Sequence, residues 1–192
     1  MTDPHELAIT LCALRDAFAK LGVEWAIGGS LASSTYAEPR STNDVDVVAR
    51  LDEQGARRLG ELLGPHFYCS TEAAIDAVRL RDSFNVIDQR SFLKVDVFVP
   101  PAGPLGVGQL TRRRELRLVH DLVVPVLGPE DIVLQKLRWY RLGGEVSERQ
   151  WRDVVAVLRT IEAGGLDDAY LDAIATMTGL DALLARARAD SK

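Results

Sequence analysis

In Val23-Glu24-Trp25-Ala26-Ile27-Gly28-Gly29-Ser30 a short apolar run ends in two glycines and a serine. In Asn43-Asp44-Val45-Asp46-Val47-Val48, downstream, carboxylates alternate with valines. The first pattern predicts a strand over 23–27, a tight turn, and a helix that begins at Ser30 and fades before Pro39. The second predicts a strand. Residues i and i+2 of a strand share a face, so Asp44 and Asp46 project together. Carboxylates held side by side repel one another unless something positive lies between them. A hard divalent cation such as Mg²⁺ takes oxygen ligands and keeps positions open for phosphate oxygens. The Gly28-Gly29-Ser30 turn offers free N–H groups, a hydroxyl and a helix N-terminus aimed at an anion. A third carboxylate, Asp96, lies in Lys94-Val95-Asp96-Val97-Phe98, another alternating segment whose valines face away from Lys94, Asp96 and Phe98. A tight turn alone would explain the glycines, and a solvated strand face alone would explain the aspartates. Their ordered combination points instead to a phosphate-plus-metal site.

Working outward, Asp3-Pro4-His5-Glu6 has the composition of a helix start. Leu7, Leu11, Leu14, Phe18 and Leu21 then form one apolar helical face that Gly22 ends. Helices are predicted over 52–63 and 71–81, and a β-hairpin over 84–87 and 92–99 around Asp88-Gln89-Arg90-Ser91. Pro100-Pro101-Ala102-Gly103-Pro104 is the strongest break. A second strand pair, 116–119 and 122–126, surrounds His120-Asp121, and helices follow over 130–142, 147–163, 167–176 and 180–189. The expectation is an α+β fold: a small mixed sheet carrying the carboxylates, flanking helices, and a helical C-terminal portion. The division falls into a core over 1–128 and a portion over 129–192 that closes the cleft, together one compact unit.

The chain has 192 residues, 47% of them hydrophobic and 27% charged, as expected of a globular domain with its own core. Its formal charge of −5 excludes bulk attraction to nucleic acid or to an anionic membrane, so a polyanionic partner would need a local basic patch. Cys12 and Cys69, with no Cys-x-x-Cys, suit a reducing compartment. The N-terminal stretch carries Asp3, Glu6 and Asp16 among spaced apolar residues, unlike a secretory signal, and no run is long enough to span a membrane. A cytoplasmic location is expected.

Gly28-Gly29-Ser30, Asp44-Val45-Asp46 and the distant Asp96 resemble the polymerase-β-like nucleotidyltransferase superfamily. The closer likeness is to bacterial AbiEii-like nucleotidyltransferases of the toxin–antitoxin type. It is carried by Arg40-Ser41-Thr42-Asn43-Asp44 ahead of the carboxylate pair, by Pro129-Glu130-Asp131-Ile132 with Lys136, and by Arg152-Asp153. The resemblance spans residues 23–160 and lacks the large helical extension of bigger members, the part that usually chooses the acceptor. It implies transfer of a nucleoside monophosphate from an NTP to an acceptor hydroxyl, with release of pyrophosphate and dependence on Mg²⁺ or Mn²⁺. It further implies that Asp44 and Asp46 are metal ligands and that Asp96 is a metal ligand or base. Gly28, Gly29, Ser30, Arg40 and Thr42 would hold the nucleotide, Lys136 its phosphates, and Asp153 would position nucleotide or acceptor. The acceptor could be a small molecule such as a cationic antibiotic, or a macromolecule such as a tRNA end or a protein side chain. A non-catalytic member of a toxin–antitoxin pair, with a cognate antitoxin or toxin as partner, is the alternative. A glycosyltransferase using Asp-x-Asp would leave the glycine turn without a role.

The remaining signals are weaker. Arg112-Arg113-Arg114 with Arg117 is the one basic cluster, suited to an RNA backbone or, more simply, to a solvated strand edge. Trp139, Tyr140 and Trp151 could stack on a base but fit core packing better. His5, His66 and His120 have no ligand spacing, and neither a P-loop nor a nucleophile-elbow motif is present.

Overall fold

A computed structural model of the chain describes residues 3–37, 44–161 and 165–192. Helix α1 (Pro4–Leu21) starts where Asp3 accepts a hydrogen bond from the His5 N–H, and ends at Gly22 in the left-handed conformation, φ 65°. Leu7, Leu11, Leu14 and Phe18 are buried along it. Strand β1 (Trp25–Ile27) leads through Gly28 into α2 (Gly29–Ser33), and β2 (Asp44–Ala49) follows. Next come α3 (Glu53–Leu63), β3 (Phe67–Cys69), α4 (Thr71–Leu80) and the hairpin of β4 (Ser83–Asp88) and β5 (Leu93–Phe98). After the proline-rich break, α5 (Pro104–Thr111) precedes a second hairpin, β6 (Arg114–Val119) and β7 (Leu122–Val126). The chain closes with α6 (Pro129–Leu142), α7 (Glu148–Ile161), α8 (Asp168–Thr178) and α9 (Asp181–Asp190).

The strands form one mixed seven-stranded sheet in the order β3-β4-β5-β2-β1-β7-β6. β2 pairs parallel with β5 and β1 parallel with β7, while the other neighbours are antiparallel. The parallel β2–β5 pair sets the site. Its register places Asp44 opposite Lys94 and Asp46 opposite Asp96. Val45, Val47, Val95 and Val97 alternate with these residues and are buried on the other face, as the period of two requires. Helices α1, α3 and α4 pack on one another and on the sheet, and α6 packs against α2, α5, α7 and α8.

Two elements escape the sequence reading. β3 is three residues long, too short for alternation to show. α5 follows prolines and contains Gly106 and Gly108, which lower intrinsic helix propensity; packing against α6 and α8 holds it. Among the described residues no helix is long and apolar enough to cross a membrane.

Candidate active site

The glycine turn exists to bring backbone and carboxylate together. Gly29 has φ 56°, and a Cβ there would lie 1.6 Å from Asp46 Oδ2. Only glycine fits that approach. The Gly28 N–H donates to the Asp46 carbonyl oxygen at 2.8 Å, and the Ser30 N–H donates to the Asp46 carboxylate. The helix that follows the turn has five residues, so it contributes oriented N–H groups and a hydroxyl rather than an extended macrodipole.

A cavity of about 370 Å³ opens over this turn. From the sheet half it is lined by Gly29, Ser30, Asp44, Asp46 and Phe98, and from the helical half by Gln135, Lys136, Trp139, Ser147, Arg149 and Gln150. Lys136 is buried and points into this space beside Asp46. Its Nζ donates to Asp153 Oδ2 at 2.7 Å, with 5% and 11% of the two side chains exposed. Arg149, at the start of α7, donates to Ser30 Oγ at 3.4 Å across the cavity. Trp139 meets Phe98 edge-on, with ring centroids 5.6 Å apart. A second cavity of about 260 Å³ shares Phe98, Gln135 and Trp139 with the first and is lined further by Pro100 and Leu105.

The electrostatics follow from the sheet register. Burial raises the Asp46 carboxyl above the usual range, and Asp96 and Asp44 raise it further, while Lys136 and the Ser30 N–H oppose the shift. On the next strand Lys94 Nζ lies 3.0 Å from Asp96 Oδ2. That hydrogen bond, with the attraction of Asp44 and Asp46, raises the lysine above its ordinary value. As the side chains stand, no three acidic, histidine or cysteine groups among the described residues converge as metal ligands would. Asp44 and Asp46 are the carboxylates in the cavity lining, a donor set that suits a cation taking one or two carboxylates and completing its shell with phosphate oxygens and water.

Of the residues singled out in the sequence, Gly29, Ser30, Asp44, Asp46 and Lys136 line one cavity. Gly28 precedes them, Asp153 holds Lys136, and Asp96 neighbours Asp46 outside the described lining. Arg40 and Thr42 lie outside the described residues. Sequence reasoning missed Lys94, Gln135, Ser147, Arg149 and Gln150 as site residues. Lys94 was legible from its two-residue spacing to Asp96. Arg149 carries no local signal, because only the approach of α7 to the glycine turn brings it there.

The basic cluster is engaged within the fold. Arg112 stacks over the Tyr170 ring at 4.0 Å and pairs with Asp167 at 3.2 Å and Glu130 at 3.7 Å. Arg113 pairs with Glu24 and donates to the Leu110 carbonyl, Arg114 pairs with Glu130, and Arg117 pairs with Asp121. Glu130 and Asp131 are buried at the start of α6, where Tyr170 Oη donates to Asp131 Oδ1 at 2.7 Å. Burial pushes the Asp131 carboxyl up to about 6, against the Tyr170 hydrogen bond and the attraction of Arg112. This network ties α6 and α8 to the strand edge.

A mixed sheet with a glycine turn and paired carboxylates facing a helical cover is the nucleotidyltransferase fold, and solved structures agree. The solution structure of the antibiotic-resistance factor ANT(2'')-Ia is similar over 96% of this chain and 97% of that one, with a TM-score of 0.59 and 12% identity. The crystal structure of ANT(2'')-Ia in complex with adenylyl-2''-tobramycin is similar over 90% of this chain and 99% of that one, with a TM-score of 0.58 and 13% identity. No protein-family model and no curated protein matches the sequence.

Proposed function

We propose that this chain is a metal-dependent nucleotidyltransferase that moves a nucleoside monophosphate from an NTP to the hydroxyl of a small-molecule acceptor. One observation carries the proposal: Asp44 and Asp46, the Gly29-Ser30 turn, Lys136 and Arg149 converge on a single cavity. In this reading Asp44 and Asp46 hold the cation that accompanies the triphosphate. Bound there, a divalent cation supplies charge neutralisation to the phosphates and polarises the reacting phosphorus centre. Ser30, Lys136 and Arg149 orient the triphosphate, and Trp139 with Phe98 offers an aromatic wall to the nucleoside. Asp96, beside Asp46, accepts the proton of the acceptor hydroxyl. The acceptor oxygen–phosphorus bond forms as the bond to the pyrophosphate oxygen breaks.

Two observations favour a small acceptor. The second cavity adjoins the first at Phe98, Gln135 and Trp139 and gives the body of such a molecule a place, and the arginine cluster that would grip RNA is engaged in ion pairs of the fold. The complex of ANT(2'')-Ia with an adenylylated aminoglycoside supports an amino-sugar hydroxyl as the first class to test. The Pro129-Glu130-Asp131 and Arg152-Asp153 stretches support a place near the AbiEii-like branch of the superfamily. The experiment is incubation with α-labelled NTPs, Mg²⁺ or Mn²⁺ and an acceptor panel that includes aminoglycosides, total tRNA and protein, with products identified by mass. Label on a small molecule with matching pyrophosphate supports the proposal. Label on RNA or protein overturns the acceptor class, and absence of transfer with every NTP overturns the activity.

A further inference from the structure

Four charged side chains stand at the corners of a square on one sheet face. The β2–β5 register sets Asp44 opposite Lys94 and Asp46 opposite Asp96, and within each strand the two-residue spacing keeps both side chains on that face. Three corners are carboxylates and the fourth is an ammonium, whose Nζ lies 3.0 Å from Asp96 Oδ2. Asp44 and Asp46 line the cavity, whereas Asp96, held by Lys94, lies outside its described lining.

From this arrangement we infer that the site takes one divalent cation rather than two, because Lys94 occupies the place where a second would bind. The inference rests on the nucleotidyl-transfer reading above and specifies the metal content of that same site. A second cation would need Asp96 as a ligand, since Asp44 and Asp46 are engaged with the cation that arrives with the triphosphate. The ammonium already neutralises Asp96 and is covalently tethered two residues away. A second divalent ion must therefore break that ion pair and bring another two positive charges beside Lys94. Lys94 also holds the Asp96 carboxylate through its Oδ2 oxygen. Lys94 is a positioning residue, acting through Asp96.

The test counts Mn²⁺ bound per bound nucleotide by electron paramagnetic resonance, using the full chain and the α,β-methylene analogue of ATP, which cannot be transferred. The expected count is one for the parent protein. Lys94→Met removes the ammonium and raises the count to two, while Lys94→Arg keeps the charge and leaves it at one. Asp96→Asn, with Lys94 intact, also stays at one, because Asp96 is not a ligand in the parent. A count of two in the parent overturns the inference while the nucleotidyl-transfer reading stands. The same holds if Lys94→Met remains at one although it binds the analogue. Nucleotide binding that needs no Mn²⁺ overturns the metal-dependent reading itself and the inference with it.

Discussion

Removing the Lys136 ammonium should cost the protein both stability and nucleotide affinity, and a second substitution separates the two effects. Lys136 and Asp153 form a 2.7 Å ion pair with only 5% and 11% of their side chains exposed. Lys136→Met therefore leaves a carboxylate buried beside an apolar side chain. Breaking a buried pair from one side costs about 3–5 kcal/mol, whereas replacing both partners with apolar groups of similar volume is close to neutral. For a chain of this size the single substitution should lower Tm by about 10 °C. Lys136→Met/Asp153→Leu should recover all but about 1 kcal/mol of the parent stability. Nucleotide affinity follows another course. The double variant still lacks the cation beside Asp46 and should bind the ATP analogue at least about tenfold more weakly than the parent, the equivalent of roughly 1.4 kcal/mol. Urea unfolding followed by circular dichroism gives the first quantity, and calorimetric titration at pH 7.5 gives the second. The reasoning fails if Lys136→Met costs less than about 1 kcal/mol, well below the range for a broken buried pair. If the double variant regains full nucleotide affinity along with stability, Lys136 only holds the fold together and leaves the phosphate-binding set.

Asp131 makes a pH prediction. Its folded-state carboxyl is pushed up to about 6 from 3.8, so the native state holds the proton more tightly than the unfolded chain. The resulting stability is fully present below about pH 4 and is lost as pH rises to about 6, an amount of roughly 3 kcal/mol. Asp131→Asn should remove that slope from the variant's own pH profile, so that the stability difference between parent and variant changes by that amount across the window; parallel profiles from about pH 4 to 7 would refute the assignment. Gly29→Ala puts a methyl into the Asp46 carboxylate at a left-handed backbone position. It should cost about 1–2 kcal/mol and impair Mn²⁺-dependent nucleotide binding; unchanged binding by calorimetry would remove the turn from the site. Asp96→Asn should bind Mg²⁺ and nucleotide yet transfer at least about 100-fold more slowly, the range of a lost general base. Transfer at the parent rate would clear Asp96 of proton transfer.

Alternation and helical spacing are local signals, and they sufficed for most elements. Asp3 and Gly22 bound α1, the valines between the aspartates mark β2 and β5, and the apolar periods of α3, α4 and α6 are visible without coordinates. The shared face of Asp44 and Asp46 is equally local, because the period of a strand alone fixes it. That Asp46 stands beside Asp96 is a fact of strand pairing. Two alternating segments give no sign of whether they pair parallel, or in which register, and a slip of one residue would turn every carboxylate to the valine face. The arginines show the same division. Composition marks Arg112 to Arg117 as a basic patch, but the partners of Arg112, Arg113 and Arg114, among them Glu24, Glu130, Asp167 and Tyr170, come from distant parts of the chain, so only packing turns that part of the patch into a structural network. Residue type and spacing are enough to say which groups can do chemistry. Which of them meet across strands, Asp46 with Asp96 and Asp44 with Lys94, is decided by long-range contacts that no window of sequence contains.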